Sequence, residues 1–375
     1  MPTLAELIGV LDGWYPPSTA ESWDSVGLTC GEQAASVDRV VLAVDCVPAT
    51  VQQAIAREAQ LLLTHHPLLL SGVHSVAAAS PKGALVHSMI RHGVAHFAAH
   101  TNADIADQGV SHALADRLGL VEVEPLDPDP APSIDHLSVF VPPQHLAAVL
   151  DALVTAGAGA IGNYDQCTFT VDGIGTFRPL DGADPADGEI GVLRRQPESR
   201  LSMVLPRSRR ADVIAAMRAA HPYEEVAFEL TEQPRLSGST GTGRIGRLAQ
   251  RLTLAEFTRL VATQLPSTRW GVRAAGDPEQ SVSRIAVCGG SGGSYIELAR
   301  SRGADAFITA DLRHHTASEA VDERQDSPMA LVDAAHWATE QPWLEVLARR
   351  LKAHFEGLTV LVSDVVTDPW TVHEH

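Results

Sequence analysis

The chain has 375 residues, of which 45% are hydrophobic, so it can bury a sizeable core in two or three domains. Its formal net charge of -18 at pH 7 disfavours a nucleic-acid partner, because such a partner normally requires a basic face. The sequence has neither an apolar run of about 18 residues nor an N-terminal signal core, so we expect no membrane span and a cytoplasmic location.

The first third of the chain predicts alternating helices and strands, which is typical of a parallel α/β sheet. The predicted elements are a helix over 4–11, a strand over 39–45, a helix over 48–60, and strands over 61–64 and 94–99. His65 and His66 directly follow strand 61–64, and His100 and Asp104 follow strand 94–99. Because parallel strands present their carboxyl ends at one edge of the sheet, we expect these side chains to lie at that edge.

The middle of the chain predicts a separate, smaller domain. Segment 124–132 is rich in proline and acidic residues and segment 236–243 is rich in glycine, as linkers often are. Between them the sequence predicts strands and helices in the order βαββαβ, over 136–141, 144–155, 166–177, 200–205, 209–220 and 226–231. This order is the ferredoxin-like motif. We therefore expect an α+β domain over 126–232, inserted into an α/β core domain made of 1–124 and 236–375.

The last third of the chain repeats the pattern of the first. A strand, a helix and two strands are predicted over 285–288, 294–302, 306–309 and 329–335. His336 and Glu340 follow the last of these strands at the spacing of His100 and Asp104, and His315 follows strand 306–309. The order favours an internal repeat, with two pseudo-symmetric α/β halves in one core domain whose histidines and acids meet at the junction. Chance similarity between two strand–helix–strand units is the alternative.

A set of imidazoles and carboxylates stands at these strand ends and helix starts. Its members are His65, His66, Asp104, His336 and Glu340. A histidine and an acid four residues apart share one face of a helical turn, and neutral imidazole with carboxylate suits Zn, Fe, Mn or Ni. Two histidines and two acids are enough for a pair of bridged ions. A hydrogen-bonded polar cluster without metal remains the alternative at this stage.

Two loops have a less specific signature. The glycine-rich run 289–293 lies between a strand and a helix, which fits either an anion-binding turn or a tight turn that permits close packing. It has neither the ending of a phosphate loop nor the spacing of a dinucleotide fingerprint. The run from Trp23 to Leu28 predicts a compact exposed turn and no chemistry of its own.

These motifs together resemble the Nif-three-like proteins, whose members are commonly named GTP cyclohydrolase I type 2 homologues. The matching runs are 23–28, 64–67, 100–104, 288–292 and 336–340, in the family's order and across both outer segments. The run His221-Pro222-Tyr223-Glu224-Glu225 is similar to the signature of that family's optional insert, which resembles trimeric signal-protein and copper-tolerance folds.

The resemblance implies two divalent metal ions per subunit and a ring-shaped homohexamer whose sites face an inner cavity. Transferred residue by residue, the ligands would be His65, His66, Asp104, His336 and Glu340, with Glu340 as the bridge. The internal repeat pairs His100 with His336, so we expect His100 near the metals, either as a ligand or in contact with a ligand. His315 matches a family histidine beside the site that could carry protons.

Two functions from different classes are compatible with this sequence. The first is a metal-dependent hydrolase that acts on a nucleotide or another phosphate-bearing small molecule through a metal-activated water. His315 or His100 would be its general acid or base. The second is a non-catalytic protein that stores, inserts or senses metal. The family name suggests GTP ring opening, although no residue of the sequence can be assigned to guanine recognition.

Overall fold

We describe the chain from a computed structural model, over residues 1–130, 133–233, 237–321 and 329–374. The chain has the mixed α/β fold that the sequence predicts, and it forms two compact units. The first unit contains Met1–Asp129 and Ser239–His375, and the second contains Pro130–Gly238. The sequence places these boundaries at 124–126 and 232–236; residues 234–236 lie outside the described part of the chain.

The N-terminal segment supplies five helices and five strands. Its helices are α1 (Leu4–Trp14), α2 (Pro48–Ala56), α3 (Pro81–Arg91), α4 (Thr101–Ile105) and α5 (Val110–Arg117). Its strands are β1 (Gly27–Cys30), β2 (Arg39–Ala43), β3 (Leu61–Thr64), β4 (Ala95–Ala98) and β5 (Leu120–Pro130). Thr3 caps α1 with a capping box closed by Glu6, which satisfies two of the helix's free amide groups.

The second unit has the ferredoxin-like arrangement. Its elements are β6 (Ile134–Val141), α6 (Leu146–Thr155), β7 (Thr168–Phe177), β8 (Arg194–Pro206), α7 (Arg210–Ala220) and β9 (Phe228–Glu232). The sheet order is β7-β8-β6-β9 and its paired strands run antiparallel. Apolar residues at helical spacing, such as Val149 and Leu153 of α6 and Val213 and Met217 of α7, cluster with the buried side chains of β6 and β8.

The C-terminal segment completes the first unit. Its strands are β10 (Ser237–Thr253), β11 (Val272–Ala275), β12 (Ser281–Val287), β13 (Ala306–Thr309), β14 (Ala330–Ala334) and β15 (Thr359–Val362). Its helices are α8 (Leu254–Gln264), α9 (Ile296–Ser301), α10 (His314–Ala320) and α11 (His336–His354). No described helix is both long and apolar enough to cross a membrane.

The sheets of the two halves share the order of four strands and differ beyond them, because β15 is parallel to β2 whereas β10 is antiparallel to β12. One sheet runs β1-β4-β3-β2-β15 and the other runs β11-β14-β13-β12-β10-β5. In each sheet three consecutive strands are parallel, and an antiparallel edge strand, β1 or β11, pairs with the third of them. The repeat extends further upstream than the sequence analysis placed it, because α8 begins with the same Thr-Leu-Ala-Glu capping box as α1.

The halves share a single hydrophobic core. One buried cluster contains side chains of both sheets, including Leu42, Phe97, Ile308 and Val332, together with Trp343 of α11. Burial of this continuous apolar surface is the main stabilising contribution to the unit. The two sets of strand ends are therefore parts of one packed structure.

Two segments that the sequence predicts as linkers are largely strands. Strand β5 extends through 124–130, and β10 begins at Ser237, inside the predicted return linker. Residues 131–132 and 236 lie outside the described part of the chain. Prolines are tolerated in β5 because it is an edge strand. Gly241 has φ +148°, and a Cβ there would lie 2.2 Å from the Asp127 carbonyl oxygen, so glycine permits the close approach of β10 to β5.

Candidate metal centre

Four histidines converge where the strand ends of the two halves meet. His65 and His66 follow β3, His100 precedes α4, and His336 is the first residue of α11. The ring centroid of His66 lies 4.9 Å from that of His65, 5.4 Å from that of His100 and 5.3 Å from that of His336. The structure therefore places the predicted imidazoles from separate segments in one cluster.

Each of the four rings is held at its Nδ1 atom by an oxygen. The Nδ1 partners are Ala99 O at 2.9 Å for His65, Asp45 Oδ1 at 2.7 Å for His66, Asp24 Oδ1 at 2.8 Å for His100, and Asp311 Oδ2 at 2.7 Å for His336. A carboxylate or carbonyl that accepts from one ring nitrogen fixes the tautomer and leaves the other nitrogen as a lone-pair donor. This is the usual support of a metal-binding histidine.

Glu340 lies among the free Nε2 atoms. Its Oε1 is 2.9 Å from His336 Nε2 and 3.5 Å from His65 Nε2, and its Oε2 is 3.3 Å from His66 Nε2. Asp104 Oδ1 is 3.6 Å from His65 Nε2. All five side chains that the sequence singles out as metal ligands are thus brought together.

The donor set fits bound metal. His65 and Glu340 are almost completely buried, yet His65 Nε2 and Glu340 Oε2 have no hydrogen-bond partner among the described residues. An unpaired buried polar atom is costly unless it coordinates an ion. Two overlapping groups have ligand atoms within 4.8 Å of one another, His65 with His66 and His100, and His66 with His336 and Glu340.

The charges of the cluster depend strongly on one another. The charge of Glu340, with the Asp311 hydrogen bond, raises the pKa of His336 to about 10 against the effect of burial. Burial lowers the pKa of His66, but Glu340 and Asp45 outweigh it and raise that pKa to about 11. Burial raises the pKa of Asp104 to about 6. Burial also opposes ionisation of Glu340, yet the surrounding imidazoles hold the pKa of that carboxyl well below its usual value.

Three supporting carboxylates, Asp24, Asp45 and Asp311, are absent from the sequence-based site. Asp24 belongs to the 23–28 run, which the sequence analysis treats as a turn only, and it also accepts hydrogen bonds from the amide and hydroxyl of Thr101. Asp45 stands just after β2 in one sheet, and Asp311 stands just after β13 in the other. Position beyond a parallel strand is the signal that could have identified these two.

The glycine-rich run is a tight turn beside the cluster. The amides of Gly289, Gly290 and Gly292 donate to hydroxyls of Ser111, Thr339 and Thr309. Three of its amides are therefore satisfied within the protein, which favours the packing alternative over the anion-binding one. A Cβ on Gly290 would lie 2.5 Å from Glu340 Oε1 and 3.1 Å from His336 Nε2, so only glycine fits there.

His315 is not brought into the cluster. It lies in the first turn of α10 with an exposed side chain, and its ring contacts His314 with centroids 5.2 Å apart. No hydrogen bond or ion pair within the described part of the chain links its ring to the metal donors. His100 is at the site, and its lone-pair nitrogen belongs to the group formed with His65 and His66.

A cavity opens directly onto the cluster. It has a volume of about 270 Å³, and its lining includes Asp45, His66, Asp311 and His336. Trp270, Ala335, Trp337 and the C-terminal residues 367–370 complete the lining. A small molecule in this cavity would contact both the metal donors and an aromatic wall.

The chain has relatives among known proteins. A profile of the family described as Duf34/NIF3 (NGG1p interacting factor 3) matches residues 2–369. The chain belongs to the DUF34/NIF3 family. It is 48% identical to a GTP cyclohydrolase 1 type 2 homolog of Mycobacterium leprae over 98% of this chain and 95% of the relative. It is 36% identical to the protein of that name in Bacillus subtilis, over 98% of this chain and 97% of the relative.

Solved structures agree with this membership. A Bacillus cereus protein related to NIF3 superposes with a TM-score of 0.74 at 34% identity, with 99% of each chain covered. A Staphylococcus aureus protein superposes with a TM-score of 0.81 at 28% identity, again over 99% of each chain. The two-unit architecture of this NIF3-family chain is thus shared by full-length neighbours.

Proposed function

We propose that this NIF3-family chain is a hydrolase that depends on two divalent metal ions and acts on a nucleotide or another phosphate-bearing small molecule. The ligands would be His65, His66, Asp104, His336 and Glu340, and the ions Zn, Fe, Mn or Ni. The observation that carries the proposal is the convergence of three imidazoles, His65, His66 and His336, each fixed at Nδ1, on the buried carboxylate of Glu340.

A pair of bound ions lowers the pKa of water and stabilises negative charge in a hydrolytic transition state. Glu340 would be the ligand shared by the two ions, since its Oε1 lies near His336 and His65 while its Oε2 lies near His66. Asp45 and Asp311 accept from Nδ1 of His66 and His336, so Nε2 would be the atom that binds a metal ion in place of its proton, and these carboxylates increase the basicity of both rings. Asp104 adds a further carboxylate beside His65.

His100 is the best-placed general base. Its Nδ1 is bonded to Asp24, so its Nε2 is free to accept a proton from a water or substrate in the cluster. Burial and the neighbouring His65 lower the pKa of His100, which keeps the ring neutral before the reaction, while Asp24 stabilises the imidazolium formed afterwards. His315 has no part in this proposal, because its exposed ring does not contact the cluster.

The relatives' name directs the choice of the first substrate. They are called GTP cyclohydrolase 1 type 2 homologs, so opening of the guanine ring of GTP is the first reaction to test. The experiment is incubation of metal-loaded protein with a panel of nucleotides and phosphoesters, followed by chromatographic product detection. Turnover that disappears in His66→Ala supports the hydrolase, and turnover that persists in it contradicts the site assignment.

A non-catalytic metal-binding or regulatory role is the second candidate. It is favoured by the proximity of His100 to His65 and His66, because a sixth protein ligand would leave less room for a reactive water. Metal that exchanges with an acceptor chelator or protein, with no turnover of any compound in the panel, would support this role. Spectroscopy of a Co²⁺-loaded sample would report the coordination number directly.

We also propose a homohexameric ring in the cytoplasm, on the resemblance to the family alone. Light scattering coupled to gel filtration measures the subunit number, and a monomer or dimer would contradict the ring. The proposed metal centre does not depend on this assembly, because all of its donors belong to one chain.

A further inference from the structure

Arg244 of β10 carries a guanidinium that is almost completely buried. The residue is 1% exposed, and within the described part of the chain no carboxylate pairs with its charge. Backbone carbonyl oxygens surround the guanidinium instead. A buried cation without a counter-ion is costly, so the contacts that it makes indicate what it secures in the fold.

The guanidinium joins two segments that are distant in the chain. Its Nη1 donates to the carbonyl oxygens of Gly241 at 2.6 Å and Gly243 at 2.7 Å, both on β10. Its Nη2 donates to the carbonyl oxygen of Ala106 and, at 3.4 Å, to that of Asp107, both of which follow α4. The planar fork of an arginine reaches both segments at once, whereas a lysine offers a single nitrogen.

Helix α4 carries Asp104, one of the proposed metal ligands. Asp104 Oδ1 is 3.6 Å from His65 Nε2, and no described residue donates a hydrogen bond to this carboxylate. The four imidazoles, in contrast, are each held at Nδ1. The position of Asp104 therefore depends on the backbone of α4, which has five residues and is too short to be stable by itself.

Both ends of α4 are anchored by side chains from other segments. At its start, Asp24 accepts hydrogen bonds from the amide and hydroxyl of the first helical residue. At its end, Arg244 holds the two carbonyls that follow the helix. The chain then turns so tightly that a Cβ on Gly109 would lie 1.8 Å from the Ala103 carbonyl oxygen. Arg244 thus completes the frame that orients Asp104.

We propose that Arg244 is a positioning residue of the metal centre, which fixes the end of α4 so that the Asp104 carboxylate reaches one of the two ions. This rests on the proposed metal centre and adds a residue that acts on a ligand through the backbone. Removal of the guanidinium leaves buried carbonyls unpaired, so the end of α4 shifts and takes Asp104 with it. The other ligands lie at a strand end or on α11 and do not depend on Arg244.

Titration of metal-free protein with Mn²⁺, followed by electron paramagnetic resonance, tests the proposal. Wild type is expected to bind two ions with coupled spins. Arg244→Met should weaken one of the two sites at least about tenfold and remove the coupled signal at the Mn²⁺ concentration that fills wild type. Arg244→Lys should fall between them, because it keeps the charge and only part of the fork.

Arg300→Met is the matched control for loss of a buried guanidinium. The Arg300 side chain is 10% exposed and donates to the Ala320 carbonyl oxygen at 2.8 Å, on α9 and without contact to α4. This variant should bind both ions as wild type does. Two ions of wild-type affinity in Arg244→Met, or an equal loss in Arg300→Met, overturns the proposal.

A double-mutant cycle shows whether Arg244 acts through Asp104. Asp104→Ala should weaken one site, and Arg244→Met added to Asp104→Ala should weaken it no further. Additive losses would show that Arg244 acts by another route and would refute the positioning role.

Gly109→Ala is a second variant, for the case that Arg244→Met does not fold. The added methyl group clashes with the Ala103 carbonyl and shifts α4 while Arg244 stays intact, so the same site should weaken. Wild-type Mn²⁺ binding in Gly109→Ala would show that the position of α4 does not control Asp104, against the proposal.

Failure of this proposal is distinguishable from failure of the proposed function. A wild type that binds no Mn²⁺ contradicts the metal centre and, with it, the role of Arg244. Loss of one ion in Asp104→Ala but not in Arg244→Met contradicts the positioning role alone. Two bound ions without turnover of any compound contradict the hydrolase only, because the readouts for Arg244 are binding and spectroscopy.

Discussion

Gly290 and Glu340 are in such close contact that a single added methyl group would displace the central carboxylate. The Cβ of an alanine at position 290 would lie 2.5 Å from Glu340 Oε1, well inside van der Waals contact. The backbone at this glycine has φ +65°, which adds strain for any other residue. The turn and the metal donors are therefore parts of one structure.

We predict that Gly290→Ala lowers the affinity for metal at least about tenfold, because the Glu340 carboxylate and the His336 ring must both move. Metal content after dialysis, measured by elemental analysis, checks this. Gly303→Ala is the matched control, since Gly303 has φ +74° but open space around its Cβ position. It carries the same backbone strain without the clash. Equal metal content in the two variants would refute the role of the close contact.

The carboxylates behind the imidazoles give a second prediction. Asp45→Ala and Asp311→Ala should each weaken metal binding about 10- to 100-fold, because His66 and His336 lose the partner that fixes their tautomer. Competition with a chelating indicator measures the change. Asp151→Ala, at an exposed position on α6, removes a carboxylate from the second unit and is the control. If Asp151→Ala weakens metal binding as much as the other two variants do, the loss of a negative charge, and not the loss of ring orientation, is the cause of the weaker binding.

His66→Ala and Glu340→Ala provide the third test. Both remove a proposed ligand directly, so each should abolish metal binding in a protein that still folds, because the core cluster does not include these side chains. Elemental analysis and far-ultraviolet circular dichroism of purified variants give the two readouts. Wild-type metal content in both variants would eliminate the assigned ligands.

The fold was largely accessible from the sequence because its strongest signals are local. Short apolar runs predicted β2, β3 and β4 and the corresponding strands of the second half, and Thr64-His65-His66-Pro67 indicated the end of a strand. The two linkers were mispredicted because proline and glycine indicate irregular chain in most settings. At an edge strand, proline lacks only a hydrogen bond that solvent would otherwise receive. Which strand forms the edge is a property of the whole sheet, and a local pattern does not specify it.

The candidate site was only partly accessible for a related reason. Proposed ligand residues such as His65 and Glu340 can be predicted from residue type and spacing. Asp24 and His100 form a hydrogen bond although they are 76 positions apart in the chain, so no local pattern connects them. His315 shows the converse, because a histidine beside a repeat motif can point outward. The aromatic wall of Trp270 and Trp370 joins segments about a hundred residues apart, and only packing brings them together.

Removal of the second unit should leave a metal-loaded first unit. Strands β5 and β10, which lead into and out of Pro130–Gly238, are neighbours in one sheet, and Gly241 approaches Asp127 closely. A short glycine–serine linker from Asp129 to Ser239 therefore spans the gap without distorting either strand. We predict a folded variant with wild-type metal content, measured by circular dichroism and elemental analysis. An aggregated product, or one that lacks metal, would show that the units do not fold independently.

The stability of the first unit should fall on acidification through His96. This side chain is completely buried on β4, its Nε2 lies 2.9 Å from Thr64 Oγ1, and burial lowers its pKa to about 4. The unfolded imidazole takes up its proton near pH 6.5 but the folded one only near pH 4. Lowering the pH from about 6.5 to 5 should therefore cost about 2 kcal/mol of unfolding free energy, and the loss should level off below about pH 4. Urea unfolding at pH 7 and pH 5 measures this loss, and His96→Gln is the control because its side chain cannot titrate. If wild type and variant lose the same stability between these two pH values, His96 is not the cause.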